Sequence, residues 1–129
     1  MPMIPFLALS LSLASLPSVT GDFDHDGKRD TAQVVKATEG YRLMIRRGAA
    51  LGKPLVLMSL TDPANFYLGT AQGGDFATAC GKGYGANGTR CDRPRVSLKG
   101  NELAFGFREA SDGVAIWKGN RFDLVWLTD

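Results

Sequence analysis

The sequence predicts an all-β or mostly β fold: a small antiparallel domain of meander or sandwich-like form. Three observations point to it. Beyond Thr31 the apolar residues come in short runs broken by Gly, Asn, Asp and Pro, which is the pattern of strands and turns. Two four-residue segments, Lys99-Gly100-Asn101-Glu102 and Lys118-Gly119-Asn120-Arg121, place Gly-Asn between such runs, and Gly-Asn favours the positive φ of tight hairpin turns. No segment carries the apolar spacing of a long amphipathic helix. At 129 residues the chain is long enough for one domain and too short for two.

The first twenty residues differ from the rest. Met1 to Thr20 contain no charged side chain, and Ile4 to Leu16 are almost wholly Leu, Ala, Ser, Pro and Phe. That run is shorter than the roughly 20 apolar residues that span a bilayer, and it has the length of a signal-peptide core. Pro2, Pro5 and Pro17 suit neither a buried helix nor a buried strand. Residues 1–20 are therefore expected to be a signal peptide, cleaved near 14–20, and residues 21–129 a single β domain. Ser12-Leu13-Ala14 and Leu16-Pro17-Ser18 both offer small residues for the cut. No Lys or Arg precedes the apolar run, so the α-amino group alone supplies positive charge there. No Cys follows the run directly, so no stable membrane anchor is expected and the destination is periplasmic or secreted.

Strands are expected near Thr31–Lys36, Tyr41–Arg47, Leu55–Leu60 and Phe66–Thr70, with Glu39-Gly40 joining the first two and Thr61-Asp62-Pro63 forming a turn or a short helical start. Ala71 to Pro94 holds six Gly and both cysteines and reads as one long loop. The last third is expected to form strands at Val96–Leu98, Leu103–Phe107, Val114–Trp117 and Phe122–Trp126, with Ser111-Asp112-Gly113 as a turn. Leu103, Phe105 and Phe107 share one face, as do Phe122, Leu124 and Trp126, and these two faces build one core in an antiparallel meander.

An even cysteine count in a small exported domain predicts a disulfide, here Cys80–Cys91. Closing so short a loop contributes about 3 kcal/mol in the chain-entropy picture.

Net charge is only +2, too mild to argue for a nucleic-acid partner. Its distribution is uneven. Four of the 13 acids are Asp22, Asp24, Asp26 and Asp30, in the segment Asp22-Phe23-Asp24-His25-Asp26-Gly27-Lys28-Arg29-Asp30. Four carboxylates brought together without a cation repel one another. Calcium is a hard cation that takes six to eight oxygens, and alternating Asp22, Asp24 and Asp26 turn three carboxylates inward in a coiled loop. Gly27 follows where a sharp turn is needed, Lys28 offers its backbone carbonyl, and Asp30 adds a fourth carboxylate directly or through water. The twelfth position is Gln33, where an EF-hand needs a bidentate Glu, and no helices flank the loop.

The stretch Gly21 to Val34, with Gly before the loop, Phe at its second position and a strand after it, resembles one repeat of the FG-GAP and VCBS type. The resemblance covers about 27 residues, from Gly21 to Arg47. It implies a strand-joining loop that binds Ca2+ through Asp22, Asp24, Asp26, the Lys28 carbonyl and Asp30. Members of that family assemble several repeats into a propeller, for which this chain is too short. Ala79 to Gly85 and Trp117 to Asp129 resemble small bacterial exported proteins, which implies a compartment and no activity.

No catalytic residue is expected. His25 is the one His and reads as a loop residue, and with both Cys paired no nucleophilic dyad can be built on these types. Glu39, Glu102 and Glu109 show no informative spacing for a pair of glycosidase carboxylates. Lys82, Tyr84, Arg90 and Arg93, in and beside the stapled loop, form the expected contact surface for a protein or an anionic ligand. The leading expectation is an exported β domain with a structural Ca2+ that works by binding. The alternatives are an inhibitor or immunity-type protein using the 80–95 loop, and a small periplasmic hydrolase using carboxylates.

Overall fold

Alternation along the first strands sets the first sheet. In the computed structural model, which describes residues 15–83 and 90–128, Ala32 and Val34 on one strand and Leu43 and Ile45 on the next are all buried. They lie directly opposite one another, Ala32 against Ile45 and Val34 against Leu43, so a single register places all four on one face.

The strands, numbered along the chain, are β1 (Ser18–Gly21), β2 (Asp30–Lys36), β3 (Tyr41–Arg46), β4 (Leu55–Leu60), β5 (Phe66–Thr70), β6 (Gly74–Ala77), β7 (Arg95–Leu98), β8 (Leu103–Phe107), β9 (Ser111–Trp117) and β10 (Phe122–Trp126). Short 3₁₀ turns occupy Gly48–Ala50 and Cys80–Lys82. Among the described residues all pairings are antiparallel and form three sheets, ordered β1-β2-β3-β4, β10-β9-β8-β5 and β6-β7. The fold is mostly β, as the sequence predicts. Among the described residues no helix is long and apolar enough to cross a membrane.

The first two sheets pack face to face around Phe23, Ala32, Leu43, Ile45, Phe66 and Phe105, among others. The expected shared face is there: Leu103 and Phe105 are fully buried, Phe122 is nearly so, and Leu124, Phe107 and Trp126 pack against them. Trp126 meets Phe105 edge to face with ring centroids 5.2 Å apart. A second, smaller core lies on the opposite face of the β10-β9-β8-β5 sheet, where Leu98, Val114 and Val125 meet Phe76 and Val96 of the β6-β7 ribbon. The middle sheet is thus covered on both sides. That is why Gly113, Val114 and Ala115 are buried consecutively, and why Ile116 and Trp117, facing opposite ways, pack against different cores.

Several expected turns lie elsewhere. Ser111, Asp112 and Gly113 are not a turn but the start of β9; the chain reverses at Arg108 to Ala110, with Glu109 at φ 61° and Ala110 N–H donating to Phe107 O. Gly113 is required by packing instead, since a Cβ there would lie 2.8 Å from Phe105 Cζ and 3.1 Å from Trp126 Cε3. Lys99 to Glu102 does not join paired strands: β7 pairs with β6, and β8 pairs with β9 and β5. The segment is a corner between sheets, held by Ala71, whose N–H donates to Glu102 O and whose carbonyl accepts from Asn101 N–H. The Lys118 to Arg121 hairpin stands as expected, with Lys118 N–H donating to Arg121 O. The long Ala71 to Pro94 loop contains β6 and the Cys80–Lys82 turn. Strand β1 uses Ser18, Val19 and Thr20, which the sequence places in the leader. Residues 1–14 of that leader lie outside the described residues.

Candidate metal centre

The acidic segment is the hairpin loop between β1 and β2. Gly21 and Asp30 face each other as the closing pair, so the residues between them must bulge into a loop. His25 at φ 59° and Gly27 at φ 86° supply the left-handed backbone that coils it. Phe23 turns under the loop into the main core and is fully buried, which anchors the loop to the sandwich.

Asp30 is the hub. It is fully buried, yet both its oxygens are satisfied: Oδ2 accepts from Phe23 N–H at 2.8 Å and Asp24 N–H at 3.3 Å, and Oδ1 accepts from Gly48 N–H at 2.8 Å. It thereby ties the loop to the segment following β3. Close backbone approach requires glycine at 48, because a Cβ would overlap the Arg29 carbonyl oxygen.

Asp24 is also buried. Burial pushes its carboxyl above the usual aspartate range, with Asp26 and Asp30 adding in the same direction and the Arg47 guanidinium opposing. Arg47 Nε donates to Asp24 Oδ2 at 2.7 Å while the guanidinium lies 4.1 Å from the Trp117 ring centroid. Asp22 accepts from Asp26 N–H at 3.0 Å and from Gly27 N–H at 2.8 Å.

One oxygen from each of Asp22, Asp24 and Asp30 lies within 4.8 Å of the others. Calcium-oxygen distances of about 2.3–2.6 Å allow two ligands on opposite sides of an ion to stand about 5 Å apart, so three oxygens this close fit around one cation. The donor set is oxygen only, the chemistry of a hard divalent ion. Asp26 lies outside this group of three. It is exposed, and its Oδ1 accepts from Lys28 N–H at 2.8 Å, the contact that holds its carboxyl below the ordinary range. Lys28 borders an open hollow of about 290 Å³ beside the loop, together with Asp22 and Gly27.

His25 turns away from the carboxylates. Its Nε2 lies 2.8 Å from Gly100 O and 3.8 Å from a Glu102 carboxylate oxygen. Glu102 is buried and accepts from Lys99 N–H at 2.8 Å and Gly100 N–H at 2.9 Å, so it braces the corner that the loop leans on. Neither Arg47 nor Glu102 was legible as part of this region, because their partners are remote in sequence. A weak signal existed for Arg47 in Arg47-Gly48, a basic residue and a glycine directly after a strand.

The disulfide Cys80–Cys91 is present, with Cα atoms 5.6 Å apart. The basic residues expected as one contact surface each have a partner nearby. Lys82 Nζ donates to Leu127 O at 2.8 Å, Arg90 pairs with Asp92 at 2.7 Å, and Arg93 lies 3.6 Å from Asp123. Tyr84 lies outside the described residues.

No family model, curated protein or solved structure matches this chain.

Proposed function

We propose that this chain is an exported binding module whose β1–β2 loop holds one structural Ca2+ through Asp22, Asp24 and Asp30. The observation that carries the reading is the convergence of three carboxylate oxygens within 4.8 Å, two of the three residues being buried. Three negative charges in that space, with Arg47 as the one cation hydrogen-bonded to them among the described residues, leave a net charge that a divalent ion would neutralise. The FG-GAP and VCBS resemblance of the loop agrees with this choice of ion. Export is supported by the leader-like start and the disulfide, since such bonds persist in oxidising compartments. A structural role for the ion is supported by the position of Asp30, which belongs to β2 and to the loop at once.

The test is thermal melting of the folded chain in chelator and in millimolar calcium. A ligand bound by the folded state alone stabilises by about 2.7 kcal/mol at a concentration of 100 times Kd. Melting should rise in calcium, and Asp22→Ala or Asp24→Ala should remove that rise. Identical melting in both buffers would sink the proposal.

A further inference from the structure

Strand β10 ends the middle sheet, so one of its edges has no partner strand among the described residues. The hairpin sets which groups face that edge. Lys118 N–H donates to Arg121 O at the turn, and Leu127 N–H donates to Asp112 O at the far end. Antiparallel ladders alternate, so Asp123 and Val125 direct their backbone groups to β9, while Phe122, Leu124 and Trp126 direct theirs outward. Trp126 O accepts from Ala79 N–H at 2.8 Å. The N–H and C=O of Phe122 and Leu124 and the N–H of Trp126 have no backbone partner among the described residues.

An open groove of about 600 Å³ runs along this edge. One wall is Arg121 and β10; the other is Thr78, Ala79, Cys80 and Arg93. The disulfide at Cys80 holds the second wall before any partner arrives, which lowers the entropy lost on binding. The rim is unevenly charged. Arg93 and Arg121 share the single carboxylate of Asp123, at 3.6 and 3.0 Å, and their side chains are 40% and 66% exposed. Each guanidinium has five donors, so most remain for a second carboxylate.

We propose that the β10 edge receives an extended acidic peptide segment as an added strand. Its backbone pairs with Phe122 and Leu124, and its carboxylates pair with Arg93 and Arg121. This gives the binding module a partner class and rests on that reading. It also relocates the contact surface: of Lys82, Arg90 and Arg93, the described residues first expected to form it, Arg93 lines the groove.

The experiment is fluorescence anisotropy of the full chain, in calcium and low salt, with a labelled blocked hexapeptide of alternating Glu and Val. Saturable binding is expected. The Lys-Val counterpart should bind at least about tenfold more weakly, as should a Glu-Val peptide N-methylated at successive residues so that neither of its edges can pair. The variant Arg93→Glu with Arg121→Glu should lose about tenfold while melting as the parent does. Amide exchange at Phe122, Leu124 and Trp126 should slow when the Glu-Val peptide is added. No saturable binding up to about 1 mM, about −4 kcal/mol on the affinity scale, would overturn the proposal. So would equal binding of the methylated or the basic peptide. Should the double variant misfold, the methylated peptide and the amide exchange decide the matter on the unaltered chain. The calcium reading is judged by melting alone, so either can fail without the other.

Discussion

Arg47 reaches Asp24 across the end of the sandwich, its Nε 2.7 Å from Asp24 Oδ2, with its guanidinium resting on the Trp117 ring. The pair joins the acidic loop of the first sheet to β9 of the second. It also places a permanent positive charge beside the three converging carboxylates, so Arg47 supplies part of the neutralisation that a bound cation would complete.

Arg47→Met should therefore have opposite effects in two buffers. In chelator, Asp24 loses its charged donor and the fold should be weaker by about 1–3 kcal/mol. In calcium, removal of a nearby positive charge should tighten the ion, by about tenfold if the charges act across about 6 Å through a water-like dielectric. Urea melts in chelator and calorimetric titration check the two halves. An unchanged calcium affinity would show that Arg47 does not face the ion.

Asp30 and Asp26 carry the same side chain in opposite settings, and the two substitutions should rank accordingly. Asp30→Asn turns an amide group toward backbone donors that now meet a carboxylate, and should cost about 2–4 kcal/mol in urea. Asp26→Ala removes one exposed contact to Lys28 N–H and should cost below about 1 kcal/mol. Equal losses would contradict the assignment of Asp30 as the hub.

The Asp123 carboxyl should titrate below the ordinary aspartate range. Its hydrogen bond from Arg121 is the main cause, with Arg93 and Lys118 adding. A depressed folded-state pKa means that its contribution to stability is present above the ordinary carboxylate range and is lost as pH falls through the folded value. Carboxyl-carbon NMR should show the Asp123 midpoint moving upward in Arg121→Ala. A midpoint that stays put would remove Arg121 as the cause.

Strand β1 bears on where the proposed leader would end. Ser18 pairs with Gln33, Pro17 O accepts from Val34 N–H at 3.0 Å, and Val19 packs against the main core. A cut after Ala14 keeps all of this, whereas a cut after Ser18 removes the first rung. If the chain is exported as proposed, intact mass of the mature protein should place its start at Ser15. A start at Val19 would show that the Ser18–Gln33 rung and the Pro17 contact are dispensable.

The sequence by itself determined the strands whose signals are local. The strands read at Thr31–Lys36 and Tyr41–Arg47, the Gly40 turn and the Lys118–Arg121 hairpin each depend on a few neighbouring residues, and all are found in the fold to within a residue at the strand ends. The acidic spacing singled out the loop in the same way. What it left undecided depends on contacts between residues far apart in the chain. Ser111-Asp112-Gly113 has the composition of a turn, but Gly113 is a strand residue paired with Phe105 and Trp126, and it is glycine because their rings leave no room for a side chain. Lys99–Glu102 has the composition of a hairpin, but β7 leaves its neighbour for β6 so that Leu98 and Val96 can cover the outer face of the middle sheet. Which Asp residues converge was likewise settled by packing. Asp24 and Asp30 are drawn inward by Arg47, Gly48 and the buried Phe23, while Asp26 has no such anchor and faces solvent.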